Sequence, residues 1–165
     1  MGFRIKRVGH LVLRVKDVER SRRFFEEILG FPVVAQNERG MVFFSTDVTD
    51  NHHMLAIMPA KEGAAMPTPD HVGMQHLSFE LGNFAELQEA YRLLKEKGVT
   101  IHYTTYHGVA KSVYFYDPDG NMFEVYCNVP PEEYRKSVSN PYSRYGGIEN
   151  ELEGKIPQKP GTVAP

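Results

Sequence analysis

An α+β fold built from one plan used twice is what this chain's sequence predicts. Residues 8–58 and 74–127 each run strand, helix, then a series of short strands, and a histidine opens the first strand of both copies: His10 in GHLVLRV and His76 in QHLSFEL. From His10 to Gly30 and from His76 to Gly98 the spacing agrees to within two residues. Neither βαβββ half can bury a core alone, because a sheet face needs another layer against it. The halves are therefore expected to pair into one curved, partly open, barrel-like sheet around a shared concavity.

Each element follows from local pattern. In VGHLVLRV, Leu11, Leu13 and Val15 alternate with Val8, His10, Val12 and Arg14, the period of a half-buried strand. Asp17 is placed to cap a helix through ERSRRFFEEIL, with Val18, Phe25 and Ile28 as its apolar stripe and Gly30 as its stop. VVAQN, MVFFS and HHMLAIM then read as strands, and PAKEGAAMPTPDHVG as a connecting loop. In the second copy Leu77, Phe79 and Leu81 form the inward row, opposite His76, Ser78 and Glu80. Phe84, Leu87, Tyr91 and Leu94 recur at helical spacing before Gly98. TIHYT, SVYFY and MFEVY follow, the last two joined by a DPDGN turn with Pro118 and Gly120 where a tight turn wants them and Asp117 and Asp119 shaping it. Pairing Tyr116 with Met122 across that turn sets Tyr114 opposite Glu124. The expected division is a domain over 1–128, with modules at about 5–60 and 74–128. An extended arm without clear periodicity, over 129–165, covers the domain or a neighbouring subunit and ends frayed.

Composition removes several classes. A chain of 165 residues with a formal charge of −2 and no basic run is a poor match for nucleic acid. Its single cysteine, Cys127, has no partner for an internal disulfide and reads as a small core residue. No apolar run approaches the roughly 20 residues of a membrane span. MGFRIKRVGH turns polar early for a signal peptide, and Lys6 stands where a myristoylation signal wants Ser or Thr. A cytoplasmic setting is the expectation.

The chemistry is carried by His10, His76 and Glu124, the last flanked by apolar residues in DPDGNMFEVY. Two imidazoles and one carboxylate form the facial triad that suits non-haem Fe(II) and leaves coordination positions open for substrate and O2. A buried carboxylate without a cation is costly, which favours a ligand role for Glu124. Strand alternation through HHMLAIM puts His53, Leu55 and Ile57 on one face and His52, Met54 and Ala56 on the other; His53 is chosen to face the cavity, at the corner equivalent to Glu124. Tyr114 shares the face of Glu124, and His107 lies on the loop feeding that strand. His71 and His102 read as linker or surface residues.

These motifs resemble the vicinal oxygen chelate superfamily over roughly residues 5–128, and most closely its type I extradiol ring-cleavage dioxygenases. The resemblance implies paired βαβββ modules around a metal cavity and Fe(II), or Mn(II) in its place, on His10, His76 and Glu124. It implies that His53, matching a His-x-x-Ala motif, is an acid/base beside O2, and that His107 and Tyr114, the latter ten residues before Glu124, line the substrate side. Met54 departs from the Asp usual after that histidine. The implied reaction is meta cleavage of a catecholic aromatic compound with O2, by a homodimer or higher oligomer. Two other readings stay open: a glyoxalase-, epimerase- or fosfomycin-resistance-type enzyme using the metal as a Lewis acid, and a metal-free binding protein of the bleomycin-resistance kind.

Overall fold

A computed structural model of the chain describes residues 2, 4–68, 72–137, 140 and 142–155. His71 and the expected frayed end at 156–165 lie outside the described residues. The chain divides into two compact units, 1–67 and 68–165, and each contains one βαβββ module.

In unit 1, β1 (Leu11–Val15) leads into α1 (Val18–Glu27), and β2 (Val33–Gln36), β3 (Val42–Phe44) and β4 (Leu55–Pro59) follow. The sheet order is β1-β4-β3-β2, with β1 parallel to β4 and the rest antiparallel. The Asp17 side chain accepts from the Arg20 backbone N–H at 2.9 Å, satisfying one of the free amides that open α1. Gly30, at φ 68°, reverses the chain as the Phe31 N–H reaches back to the Phe25 carbonyl at 2.9 Å, a conformation that favours glycine. The buried face of α1 is Ser21, Phe24 and Phe25. Phe25 packs on Phe44 with ring centroids 5.6 Å apart, and burying each such ring contributes about 1.5–3 kcal/mol.

Unit 2 repeats this order. β5 (Leu77–Leu81), α2 (Phe84–Glu96), β6 (Ile101–Tyr106), β7 (Ala110–Tyr116) and β8 (Met122–Asn128) form a sheet ordered β5-β8-β7-β6. Asn83 caps α2 by accepting from the Glu86 N–H at 3.1 Å, and Glu86 reaches back to the Gly82 N–H at 2.8 Å. Leu87, Tyr91 and Leu94 are the buried face of α2, as their spacing predicts. Asp117 shapes the hairpin turn by accepting from the backbone N–H groups of Asp119 and Asn121 at 2.9 and 2.8 Å. Burial pushes its carboxyl above the usual range against these bonds.

The arm packs on the rest of unit 2 and contains two short helices, α3 (Pro131–Ser137) and α4 (Glu149–Leu152). Between them it pairs with β6: the Tyr145 N–H donates to the Tyr106 carbonyl at 2.7 Å and the Tyr106 N–H to the Gly146 carbonyl at 3.0 Å. Ile148 and Leu152 are buried there. An edge strand that would otherwise offer open hydrogen-bonding groups is thereby covered.

The α+β class and the two βαβββ modules are as the sequence predicts. The strands form two four-stranded sheets, one in each module, not closed into a barrel. The physical reason is that the opening strand of each module pairs with the last strand of the same module, so each ladder is completed within its own repeat.

Candidate active site

A row of four side chains crosses the sheet of unit 2. Ser78 on β5 is the register partner of Glu124 on β8, Glu124 of Tyr114 on β7, and Tyr114 of Tyr103 on β6. Register partners share a face, so all four project from the side opposite the Leu77, Phe79, Phe123 and Val125 layer. Glu124 is only 7% exposed. Its Oε2 lies 3.2 Å from His76 Nε2 and accepts a hydrogen bond from the Ser78 hydroxyl. The other ring nitrogen of His76, Nδ1, meets Oε1 of Gln75, which fixes the ring's orientation.

Tyr114 stands beside this pair. Its ring is edge-on to His76 at 5.1 Å and stacked on Tyr103 at 4.2 Å. Its hydroxyl lies 3.3 Å from His107 Nε2. Burial, then hydrogen bonding to Glu124 and the nearby carboxylate charge, hold the Tyr114 phenol far above the usual tyrosine range, so it keeps its proton. Tyr103 is also raised, by burial, against the opposing effects of Tyr114 and Arg144.

In unit 1 the remaining candidates meet at the start of the strands. His10 precedes β1, and His53 precedes β4; their ring centroids are 4.4 Å apart. His53 is half-buried, edge-on to Phe43 at 5.3 Å, whereas His52 is exposed. Asn51 ties the two segments together by donating from Nδ2 to the Gly9 carbonyl at 2.6 Å. Burial, then the charges of His10 and His52, push the His53 imidazole below its ordinary value, favouring the neutral ring.

Two details differ from the sequence reading. β4 begins at Leu55, and Leu55, Ala56 and Ile57 are all buried, so alternation does not extend to the histidines. By register Val12 pairs with Ala56 as Ser78 pairs with Glu124, so Ala56, not His53, occupies the position equivalent to Glu124. Gln75, Ser78, Asn51 and Tyr103 are site neighbours that the sequence reading does not include. Extending the Tyr114–Glu124 register one strand each way would have found Ser78 and Tyr103.

The structure joins His76 with Glu124, Tyr114 and His107, and separately joins His10 with His53. Among the described residues no three His, Cys, Asp or Glu side chains gather into one ligand group. The pair in unit 2 nevertheless has the chemistry of a divalent-cation donor set. A buried carboxylate faces an imidazole, a hydroxyl and a phenol, none of which is a fixed cation, and isolated burial of such a charge is costly.

Residues 7–125 match the family model described as the Glyoxalase/Bleomycin resistance protein/Dioxygenase superfamily. The chain belongs to this superfamily. It is 34% identical over 130 residues to biphenyl-2,3-diol 1,2-dioxygenase 3 of Rhodococcus globerulus, covering 77% of this chain and 67% of that protein. It is 26% identical over 125 residues to the metallothiol transferase FosB of Staphylococcus saprophyticus, covering 74% and 77%. Among solved structures, a glyoxalase/dioxygenase from Nostoc punctiforme superposes with a TM-score of 0.64 at 25% identity, covering 76% of this chain and 92% of that one. A dioxygenase and a thiol transferase thus both stand among the relatives of this superfamily member, and the side chains of the site must choose between them.

Proposed function

We propose that this superfamily member is an extradiol dioxygenase that cleaves a catecholic compound with O2, using Fe(II), or Mn(II) in its place, held by His10, His76 and Glu124. The observation that carries the reading is the Tyr114–His107 pair one strand from a buried Glu124. It supplies a protonated phenol and an imidazole within hydrogen-bonding distance beside the carboxylate. Chemistry on a dihydroxylated ring needs groups that hold and move protons at the substrate oxygens. The similarity to a biphenyl-2,3-diol dioxygenase supports the same choice.

The bound metal would bring an electron-rich catechol and O2 into reaction. The chain's own residues do the rest. Tyr114, neutral across the working pH range, donates a hydrogen bond to a substrate oxygen and keeps the ring in place. His107 receives or returns a proton through the Tyr114 hydroxyl. Gln75 and Ser78 fix His76 and Glu124 so that neither has to reorganise during turnover. His53, favoured as the neutral ring, accepts a proton from substrate and returns it when the ring opens. The partners proposed are a catechol, O2 and further copies of the chain in a homo-oligomer, in the cytoplasm. Among the described residues no helix is long and apolar enough to cross a membrane.

The test is reconstitution with Fe(II) in the absence of oxygen, followed by O2 uptake and absorbance with catechol and biphenyl-2,3-diol. Stoichiometric O2 consumption with a yellow ring-opened product is expected. Turnover confined to methylglyoxal with glutathione, or to fosfomycin with a thiol, would assign the protein to the Lewis-acid enzymes. Binding of bleomycin without metal or turnover would assign it to the sequestering proteins.

A further inference from the structure

The arm brings one cation to the row of site residues. Arg144 lies over the Tyr103 ring, with its guanidinium carbon 4.5 Å from the centroid. The chain around it is anchored by the Tyr145–Tyr106 backbone bond at 2.7 Å and by the Ile148 N–H donating to Thr104 Oγ1 at 2.9 Å. The lysines nearby are occupied: Lys111 pairs with Glu151 at 2.5 Å and Lys95 with Glu153 at 2.7 Å. Arg144 is exposed, and no carboxylate pairs with it among the described residues. Stacking on an aromatic face leaves the planar fork of N–H donors at the guanidinium edge unused. That fork matches a carboxylate in bidentate fashion.

Its place in the row gives the fork a use. Tyr103 is two strands from Glu124, about 9–10 Å at the usual strand spacing. The polar, ligand-bearing end of the row is therefore Ser78, Glu124 and His76, and its far end is Tyr103 with a cation on top. The Tyr114 ring lies between the ends and stacks on Tyr103 at 4.2 Å. We infer that Arg144 is a specificity-determining residue that selects catechols carrying a carboxylate on the side of the ring remote from the vicinal hydroxyls. This inference rests on the dioxygenase reading for the hydroxyl end and on the arm's own geometry for the acid end.

The experiment compares 3,4-dihydroxyphenylacetate with its methyl ester, which differs in charge and little in shape. Steady-state turnover of the Fe(II)-loaded protein is measured alongside anaerobic calorimetric binding of both compounds. The wild type should favour the acid, and the preference should weaken as salt is raised. In Arg144→Ala the acid-to-ester ratio of kcat/KM, and the corresponding ratio of Kd values, should each fall by about tenfold or more, the effect of a lost charge-assisted hydrogen bond. Arg144→Lys should retain part of the preference and Arg144→Glu should reverse it. A residue that merely supported the fold would lower both substrates together and leave the ratio in place. An unchanged ratio in Arg144→Ala, or a wild type that prefers the ester, overturns the inference while leaving ring cleavage standing. If no O2 is consumed with either compound, the dioxygenase reading fails. The calorimetric ratio then still decides whether Arg144 holds the acid.

Discussion

Replacing Glu124 by Gln separates the role of its charge from the role of its shape. The side chain is 7% exposed and packed among Ser78, His76 and Tyr114. Without metal, the Glu124 side chain is held by the Ser78 hydroxyl and the Tyr114 phenol, groups that an amide can also bond, so a change at constant volume should cost little. Folding stability of the metal-free variant is expected within about 1 kcal/mol of wild type, since an amide can exchange hydrogen bonds with a hydroxyl and a phenol that both rotate. With metal the two proteins should diverge. A ligand present at about 100 times its Kd stabilises the native state by about 2.7 kcal/mol. For a chain of this length that corresponds to a rise in Tm of about 5–11 °C. The assay is a thermal melt under nitrogen with and without Fe(II), repeated with Mn(II). Wild type should show the shift and Glu124→Gln should lose most of it. A variant that keeps the full shift and stoichiometric metal would remove Glu124 from the ligand set and the proposed centre with it.

Three further outcomes follow from named contacts. Tyr114→Phe removes the hydroxyl that meets His107 at 3.3 Å. It should retain metal while kcat falls about a hundredfold, the low end for a lost acid–base group, measured by O2 uptake. His53→Ala should also keep its iron and lose turnover; metal analysis showing an empty site would make His53 a ligand instead. Asp17→Ala deletes the cap on the Arg20 N–H and should lower stability by about 1 kcal/mol without changing kcat/KM, read by urea denaturation and steady-state kinetics.

Much of the architecture was legible because local chemistry decided it. The cap at Asp17 and the stops at Gly30 and Gly98 mark helix ends that agree with the structure, whereas the Asn83 cap of α2 emerges only there. The Tyr114–Glu124 pairing followed from arithmetic across a tight turn, and the ladder agrees residue for residue. The failures have a common cause in non-local terms. Alternation could not place His53, because β4 lies between β1 and β3 and is buried on both faces at its start, so period two carries no signal there. Phe24, buried next to Phe25, fell outside the predicted stripe of α1 because it sits on the flank of the apolar face. The arm showed no periodicity since its contacts come from irregularly spaced residues, among them Arg144, Tyr145, Ile148, Glu151 and Leu152, that meet features of the sheet already formed.

Comparing the two modules strand by strand shows what the duplication did and did not copy. The row Ser78–Glu124–Tyr114–Tyr103 in the second module corresponds, through identical sheet order, to Val12–Ala56–Phe43–Ala35 in the first. A polar row thus has an apolar counterpart at every position, while histidine precedes the opening strand in both. Geometry was repeated and chemistry was not. Within the first sheet, Ala56 is fully buried between β1 and β3, where a hydroxyl would need a partner that its apolar row neighbours Val12 and Phe43 do not offer from their side chains. Ala56→Ser should therefore lower folding stability by about 1–3 kcal/mol, the cost of burying an unsatisfied polar group, read by urea denaturation. Stability equal to wild type would show that the position accommodates a polar group and that the apolar character of the first row is not what holds its sheet.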